Sequence, residues 1–181
     1  MSENSSEITK YIAIARNNHK KGNIYQANEI YKKLINQKIY TYELLFSYGL
    51  FCKEINNLKI AKNLFNLSIK KYPSKINAYL LLAEILRKEN KVNDALKTLY
   101  AAKKIEKSNP DIDYNLSISY KTIKSFREAI LSIDSAIKLQ PKNQTYQILK
   151  ADILVEFFKN EEAKNILAVS YTHLTLPTTP Y

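Results

Sequence analysis

Residues 42–75 read YELLFSYGLFCKEINNLKIAKNLFNLSIKKYPSK. Two stretches of helical periodicity lie within it, roughly Tyr42 to Glu54 and Leu58 to Lys71, separated by Asn56 and Asn57 and closed by Pro73. Each is about 13 residues long, an ordinary helix length. A small residue stands on each, Gly49 on the first and Ala61 on the second, and the large Phe65 follows Ala61 by one turn. The pattern predicts two antiparallel helices whose backbones approach at the small residues, with Phe65 filling the space beside the crossing.

The stretch is one copy of a repeat. Stepping from Ala61 by 34 in both directions gives Ala27, Ala95, Ala129 and Ala163, without an insertion or deletion. Stepping from Gly49 gives Ala15, Ala83, Ser117 and Ala151, all small. Stepping from Phe65 gives Tyr31, Leu99, Ile133 and Leu167, all large and apolar. A fixed period of this kind marks a stack of helix pairs, each burying a face against its neighbours. The repeats run about 8–41, 42–75, 76–109 and 110–143, with a partial fifth at 144–168, and residues 1–7 are read as disordered.

These residues resemble the tetratricopeptide repeat, whose pattern is W-x2-L-G-x2-Y, then A-x3-F, then P. The second repeat supplies Leu45, Tyr48, Gly49, Cys52, Ala61, Phe65 and Pro73; the third Tyr79, Leu82, Ala83, Leu86, Ala95 and Leu99; the fourth Leu116, Ser117, Tyr120, Ala129, Ile133 and Pro141. Gly22 and Gly49 fall where that family uses glycine, and Ser125 with Glu128 has capping-box spacing at the start of a second helix. The resemblance implies an all-α fold, a right-handed α-solenoid of antiparallel helix pairs. Asp113, Gln147 and Lys150 depart from it, standing where large apolar residues are usual.

The fifth repeat is the weakest. Its second helix is expected to begin at Glu161, Glu162 and Ala163, with helical periodicity ending after Ala168. The remainder, VSYTHLTLPTTPY at 169–181, has four Thr and two Pro but no Lys, Glu or Asn. It resembles the in-frame translation of a transposase adapter through about Thr179. The native sequence is therefore expected to leave the given one near Ala168 and to be longer, and His173 carries no functional reading.

Composition sets bounds on function. A 181-residue chain with 45% hydrophobic and 25% charged residues can bury a core, and 2 Gly leave little for a glycine-rich phosphate cradle. The single Cys52 has no internal disulfide partner and fits a buried position on its helix; the polar start Met1 to Glu7 lacks the features of a signal peptide; no apolar run is long enough to span a membrane. A cytoplasmic protein is the expectation. The net charge of +11 comes with 25 Lys against 3 Arg and with abundant Asn, Ile and Tyr, a bias that A/T-rich codons produce without selection for an acidic partner.

Catalytic chemistry has little to work with. Outside the tail, His19 and Cys52 are single, and the pairs Asp111 with Asp113 and Glu161 with Glu162 sit at predicted helix starts, where carboxylates meet the helix dipole. No enzyme activity, cofactor or metal is expected. In the family the first helices line a concave groove, and there the ladder Ile12, Phe46, Leu80, Tyr114, Ile148 is apolar throughout. Seven residues on, His19, Lys53, Arg87 and Lys121 form a basic ladder, extended by Lys20 and Lys88 and diluted by Glu43, Glu54, Glu84, Asp152 and Glu156. An apolar floor with a basic edge suits a peptide or partner helix carrying spaced apolar anchors and acidic groups. The competing reading is that the apolar ladder packs between repeats while the lysines form a solvated rim.

The carboxylate clamp of chaperone-binding relatives is absent, since the corresponding positions hold Ile12 with Arg16, Phe46 with Leu50 and Leu80 with Glu84. Two other classes compete with a protein scaffold. Bacterial relatives place such arrays before glycosyltransferase or sulfotransferase domains, which would make this chain the recognition part of a larger enzyme. Nonspecific RNA binding through Lys is the other, disfavoured because the pairs Lys32–Lys33, Lys70–Lys71 and Lys103–Lys104 fall on second helices, away from the groove.

Overall fold

A computed structural model describes the backbone of residues 2–174 and the side chains of residues 6–161. Among the described residues there are nine helices and no strand: α1 Ser2–Lys20, α2 Ile24–Asn36, α3 Tyr42–Glu54, α4 Leu58–Lys71, α5 Ile76–Lys88, α6 Val92–Ile105, α7 Pro110–Thr122, α8 Phe126–Leu139 and α9 Gln144–Leu174. The all-α expectation holds, and the helices predicted from residues 42–75 coincide with α3 and α4. The chain forms two compact units, Met1–Lys107 with α1 to α6 and Ser108–Tyr181 with α7 to α9.

Within the first unit α1 packs on α2, α3 on α4 and α5 on α6; within the second α7 packs on α8, and α8 on α9. The ladders are the crossings. Ala15, Ala83 and Ser117 on first helices and Ala27, Ala61, Ala95 and Ala129 on second helices have no exposed surface, and neither do Phe65, Leu99 and Ile133. Gly49 is in closest contact, for a Cβ there would stand 2.6 Å from Phe65 Cε1. Cys52 is buried as expected, and burial pushes its thiol up to about 12, an effect that its hydrogen bond with Tyr48 offsets only in part.

Each of the first four pairs closes through the same turn. Gly22, Asn56, Asn90 and Lys124, again 34 apart, adopt φ of 81°, 61°, 61° and 60°. The residue after each donates its backbone N–H to a carbonyl of the preceding helix: Asn23 to Asn18 at 2.9 Å, Asn57 to Cys52 at 2.7 Å, Lys91 to Leu86 at 2.8 Å and Ser125 to Tyr120 at 3.0 Å. This is the Schellman geometry, in which the left-handed residue is best a Gly or Asn.

Three expectations need correction. The second helix predicted from Glu161 does not form, because α9 is one helix through that point. The turn position there is Phe158, and a bulky side chain disfavours the positive φ the turn demands. Ala151, the fifth member of the small ladder, is accordingly exposed. At the other end α1 starts at Ser2, since residues 2–7 contain no Gly or Pro to stop a helix from reaching back into the segment read as disordered.

The capping box at Ser125 is also not made. Ser125 precedes α8 with ψ 68°, and its side chain accepts no capping bond. Asn57, at the nearly identical ψ of 67°, reaches Ile60 N with its longer side chain, while Thr41 caps α3 from the extended region, at ψ 152°. The tail at 169–181 begins within the helical span of α9, and its side chains lie outside the described residues.

Candidate partner-binding face

The first helices carry the candidate residues, and each unit presents its own set. In the N-terminal unit α1 bears Ile12 and His19, α3 bears Phe46 and Lys53, and α5 bears Leu80, Arg87 and Lys88. Ile12 is fully buried and so leaves the groove floor, since an apolar side chain gains more from burial than from display. Phe46 is half-buried, its ring 5.4 Å from that of Tyr42 and 6.1 Å from that of Phe65, and Leu80 is half-buried. The floor in this unit thus reduces to Phe46 and Leu80.

The basic ladder is engaged. Lys53 Nζ bonds Glu84 Oε2, and Lys88 Nζ meets the other oxygen of the same carboxylate at 3.1 Å. His19 Nδ1 lies 3.3 Å from Glu54 Oε2, and its ring meets Phe51 edge-on at 4.9 Å. Arg87 is half-buried and makes polar or ring contacts of its own. Lys88 keeps 55% of its side chain exposed, and Lys20 is exposed as well.

In the C-terminal unit Tyr114 and Lys121 lie on α7. Tyr114 is half-buried, its ring 5.2 Å from that of Tyr146. Lys121 Nζ sits between two carboxylates of α9, 2.5 Å from Asp152 Oδ2 and 2.8 Å from Glu156 Oε1. Those two hydrogen bonds raise the Lys121 pKa above the ordinary lysine value, outweighing a smaller opposing effect of burial.

Sequence reasoning treated these carboxylates as dilution of a positive field, and they are instead specific partners. Arg16 to Ser47, Lys53 to Glu84 and Lys121 to Asp152 are all hydrogen bonds from one first helix to the next, across 31 residues each time. Arg16 adds Glu43 at 3.3 Å. The recurring spacing makes these contacts inter-repeat struts. Partly exposed pairs of this kind are each worth about 0–1 kcal/mol, so they fix the register of neighbouring helices more than they stabilise the fold.

The Glu84 strut has a pH signature. Burial alone would raise the Glu84 carboxyl, but the hydrogen bonds from Lys53 and Lys88, with their charges, together hold it below the ordinary value. A carboxyl whose folded value lies below its unfolded one contributes stability above the unfolded value and loses it as pH falls through the folded one. Glu84→Gln is therefore expected to flatten the fall of the urea midpoint between neutral pH and about pH 3. Parallel pH profiles for variant and parent would deny the strut any part in acid lability.

Among the described residues no three His, Cys, Asp or Glu side chains gather as metal ligands would, and no helix is long and apolar enough to cross a membrane.

Neither a protein-family model nor a curated protein sequence matches the chain. Solved structures do. A MamA fragment, residue 41 to its end, from Desulfovibrio magneticus RS-1 superposes with a TM-score of 0.71 at 18% identity, over 91% of this chain and 96% of that one. YrrB, described as a TPR protein with an unusual peptide-binding site, gives 0.70 at 19% identity, over 81% and 76%. A tetratricopeptide repeat protein from Parabacteroides merdae ATCC 43184 gives 0.76 at 14%, over 94% and 66%. The likeness establishes the fold: an all-α solenoid fold of the tetratricopeptide-repeat type.

Proposed function

We propose that the chain is a protein-interaction scaffold, taking a peptide or partner helix along the first helices of its N-terminal unit. One observation carries this reading. Phe46 and Leu80 hold equivalent places on α3 and α5, and both keep part of their apolar surface exposed although the ladder residue before them, Ile12, is sealed. Two apolar anchors one repeat apart, with the half-exposed Lys88 two turns further along α5, fit a partner that places apolar side chains at matching intervals and a carboxylate beyond them. The fold shared with YrrB, itself described as having a peptide-binding site, supports a peptide as the form of that partner. A buried thiol and no membrane-spanning helix among the described residues are compatible with work in the cytoplasm.

The test is fluorescence anisotropy with a synthetic acidic peptide carrying two spaced apolar anchors, compared with a scrambled peptide of the same composition. The ordered peptide is expected to bind more tightly, and Leu80→Asp combined with Lys88→Glu to weaken it by about tenfold or more, with helicity unchanged. Equal affinity for both peptides, or an indifferent double variant, would reject this face. Lys53 and Lys121 are poor choices for such a test, because reversing either charge breaks a bridge between successive first helices, whereas Lys88 pairs with Glu84 within α5 and its reversal leaves the Lys53–Glu84 partners in place.

A further inference from the structure

Near the starts of α3 and α5 lies positive charge that the scaffold reading leaves unused. Residues 55–83 contain five Lys, at 59, 62, 70, 71 and 75, and no Asp or Glu; residues 30–42 contain three Lys and again no Asp or Glu. Among the described residues Lys62 pairs with Glu89 and Lys32 with Glu29, whereas Lys38, Lys70, Lys71 and Lys75 make no ion pair. All four of these are exposed.

The fold gathers two of them around three tyrosines. Lys71 Nζ lies 5.2 Å from the centre of the Tyr40 ring, and Lys75 Nζ 5.5 Å from that of Tyr42. Tyr72 joins the two: its hydroxyl donates to the Tyr40 carbonyl at 2.8 Å, and its ring meets that of Tyr42 edge-on at 6.0 Å. Tyr42 in turn stacks on Phe46, one turn along α3, so the cluster continues the apolar floor formed by Phe46 and Leu80. A ring face orients an ammonium without neutralising it. Lys71 and Lys75 therefore keep a full charge for a partner, while Lys53 and Lys88 share the carboxylate of Glu84. Glu43, which follows Tyr42 in the chain, is paired with Arg16 at 3.3 Å. Lys75 also stands at the N-cap of α5, makes no capping bond, and precedes a first turn without an acid. The positive end of a helix disfavours a cation there, and an arriving anion would relieve both charges.

Resting on the scaffold reading, we infer that this cluster is where carboxylates of the peptide partner dock: the partner carries a short run of Asp or Glu beside the apolar residue that covers Phe46. A nucleic acid fits less well. Bases need open aromatic faces on which to stack, and Tyr40, Tyr42 and Tyr72 are half-buried, their rings engaged by lysines or by one another.

Anisotropy titrations at low salt test the inference with two peptides that share the same apolar anchors, one with Asp and Glu beside them and one with Asn and Gln in their place. Lys71→Gln with Lys75→Gln is expected to weaken the acidic peptide about tenfold and to leave the amide peptide unchanged, whereas Leu80→Asp weakens both. Lys71→Arg with Lys75→Arg should retain the affinity, since charge and ring contact both survive. Lys97→Gln, at a side chain 81% exposed on α6, should change neither peptide. The lysines replaced are exposed, so circular dichroism should show undiminished helix content. If the glutamine pair treats the two peptides alike while Leu80→Asp still weakens both, the inference falls and the scaffold reading stands. If neither peptide outbinds its scrambled form, that reading falls and takes the inference with it. A loss from Lys97→Gln as large as that from the glutamine pair would reduce the effect to net charge, and tighter binding of oligouridylate than of the acidic peptide would make the cluster a nucleic-acid site; either result overturns the inference.

Discussion

Phe65→Ala is expected to lower the unfolding free energy of the N-terminal unit by about 3–5 kcal/mol, the range for emptying a large, fully buried aromatic site. The Phe65 ring has no exposed surface, is held against Gly49 of α3, and lies 6.1 Å from the Phe46 ring. Removing it vacates the α3–α4 crossing, and the small residues around it, Gly49 and Ala61, are too short to close the gap. Urea denaturation followed by far-UV circular dichroism reads the loss. A shift under about 1 kcal/mol would mean that the crossing collapses without cost and that the large-residue ladder is not what holds the pairs together.

Gly49→Ala tests the same contact from the other side and has an unusual sign. In an ordinary helix interior the change gains up to about 1 kcal/mol, because alanine is the better helix former. Here the new Cβ would stand 2.6 Å from Phe65 Cε1 and 2.9 Å from Cζ, and the ring is enclosed and cannot swing into solvent. Overpacking is expected to win, with a net loss of about 1–3 kcal/mol. Phe65→Leu in the same chain should recover part of it, so the double variant is more stable than the two single changes predict. A stabilised Gly49→Ala chain would show that α3 and α4 separate easily and that glycine is not required.

The core was legible because the same few residue types return every 34 positions, and repetition averages out local ambiguity. Ala27, Ala61, Ala95 and Ala129 specify the crossings, and all four are buried. The break in the fifth repeat was equally present in the sequence, but as a substitution in the turn ladder, where Phe158 follows Gly, Asn, Asn and Lys. Reading Ala163 as the continuing alanine ladder gave weight to composition within a helix and none to the residue that must end the helix before it. The struts were hidden for a geometric reason. Lys53 with Glu84 and Lys121 with Asp152 recur at 31 residues, an offset between different positions of adjacent repeats, which ladders of equivalent positions do not display. Ile12 was misplaced because identical places in successive repeats differ in what covers them, and only the neighbouring helix decides that.

The repeated turn also bears on how the chain comes to be folded. Gly49 and Ala61 are only 12 residues apart, so each crossing is made between groups that lie close along the polypeptide, and the Schellman bond that closes it spans fewer still. Little loop entropy must be surrendered before a helix pair begins to gain its packing, a condition that goes with rapid folding. The pairs also arrive in order. As synthesis proceeds, α1 with α2 can close before α3 has left the ribosome, and within the N-terminal unit α3 and then α5 meet a preceding neighbour already formed. A nascent chain built this way exposes roughly one unfinished hairpin at a time.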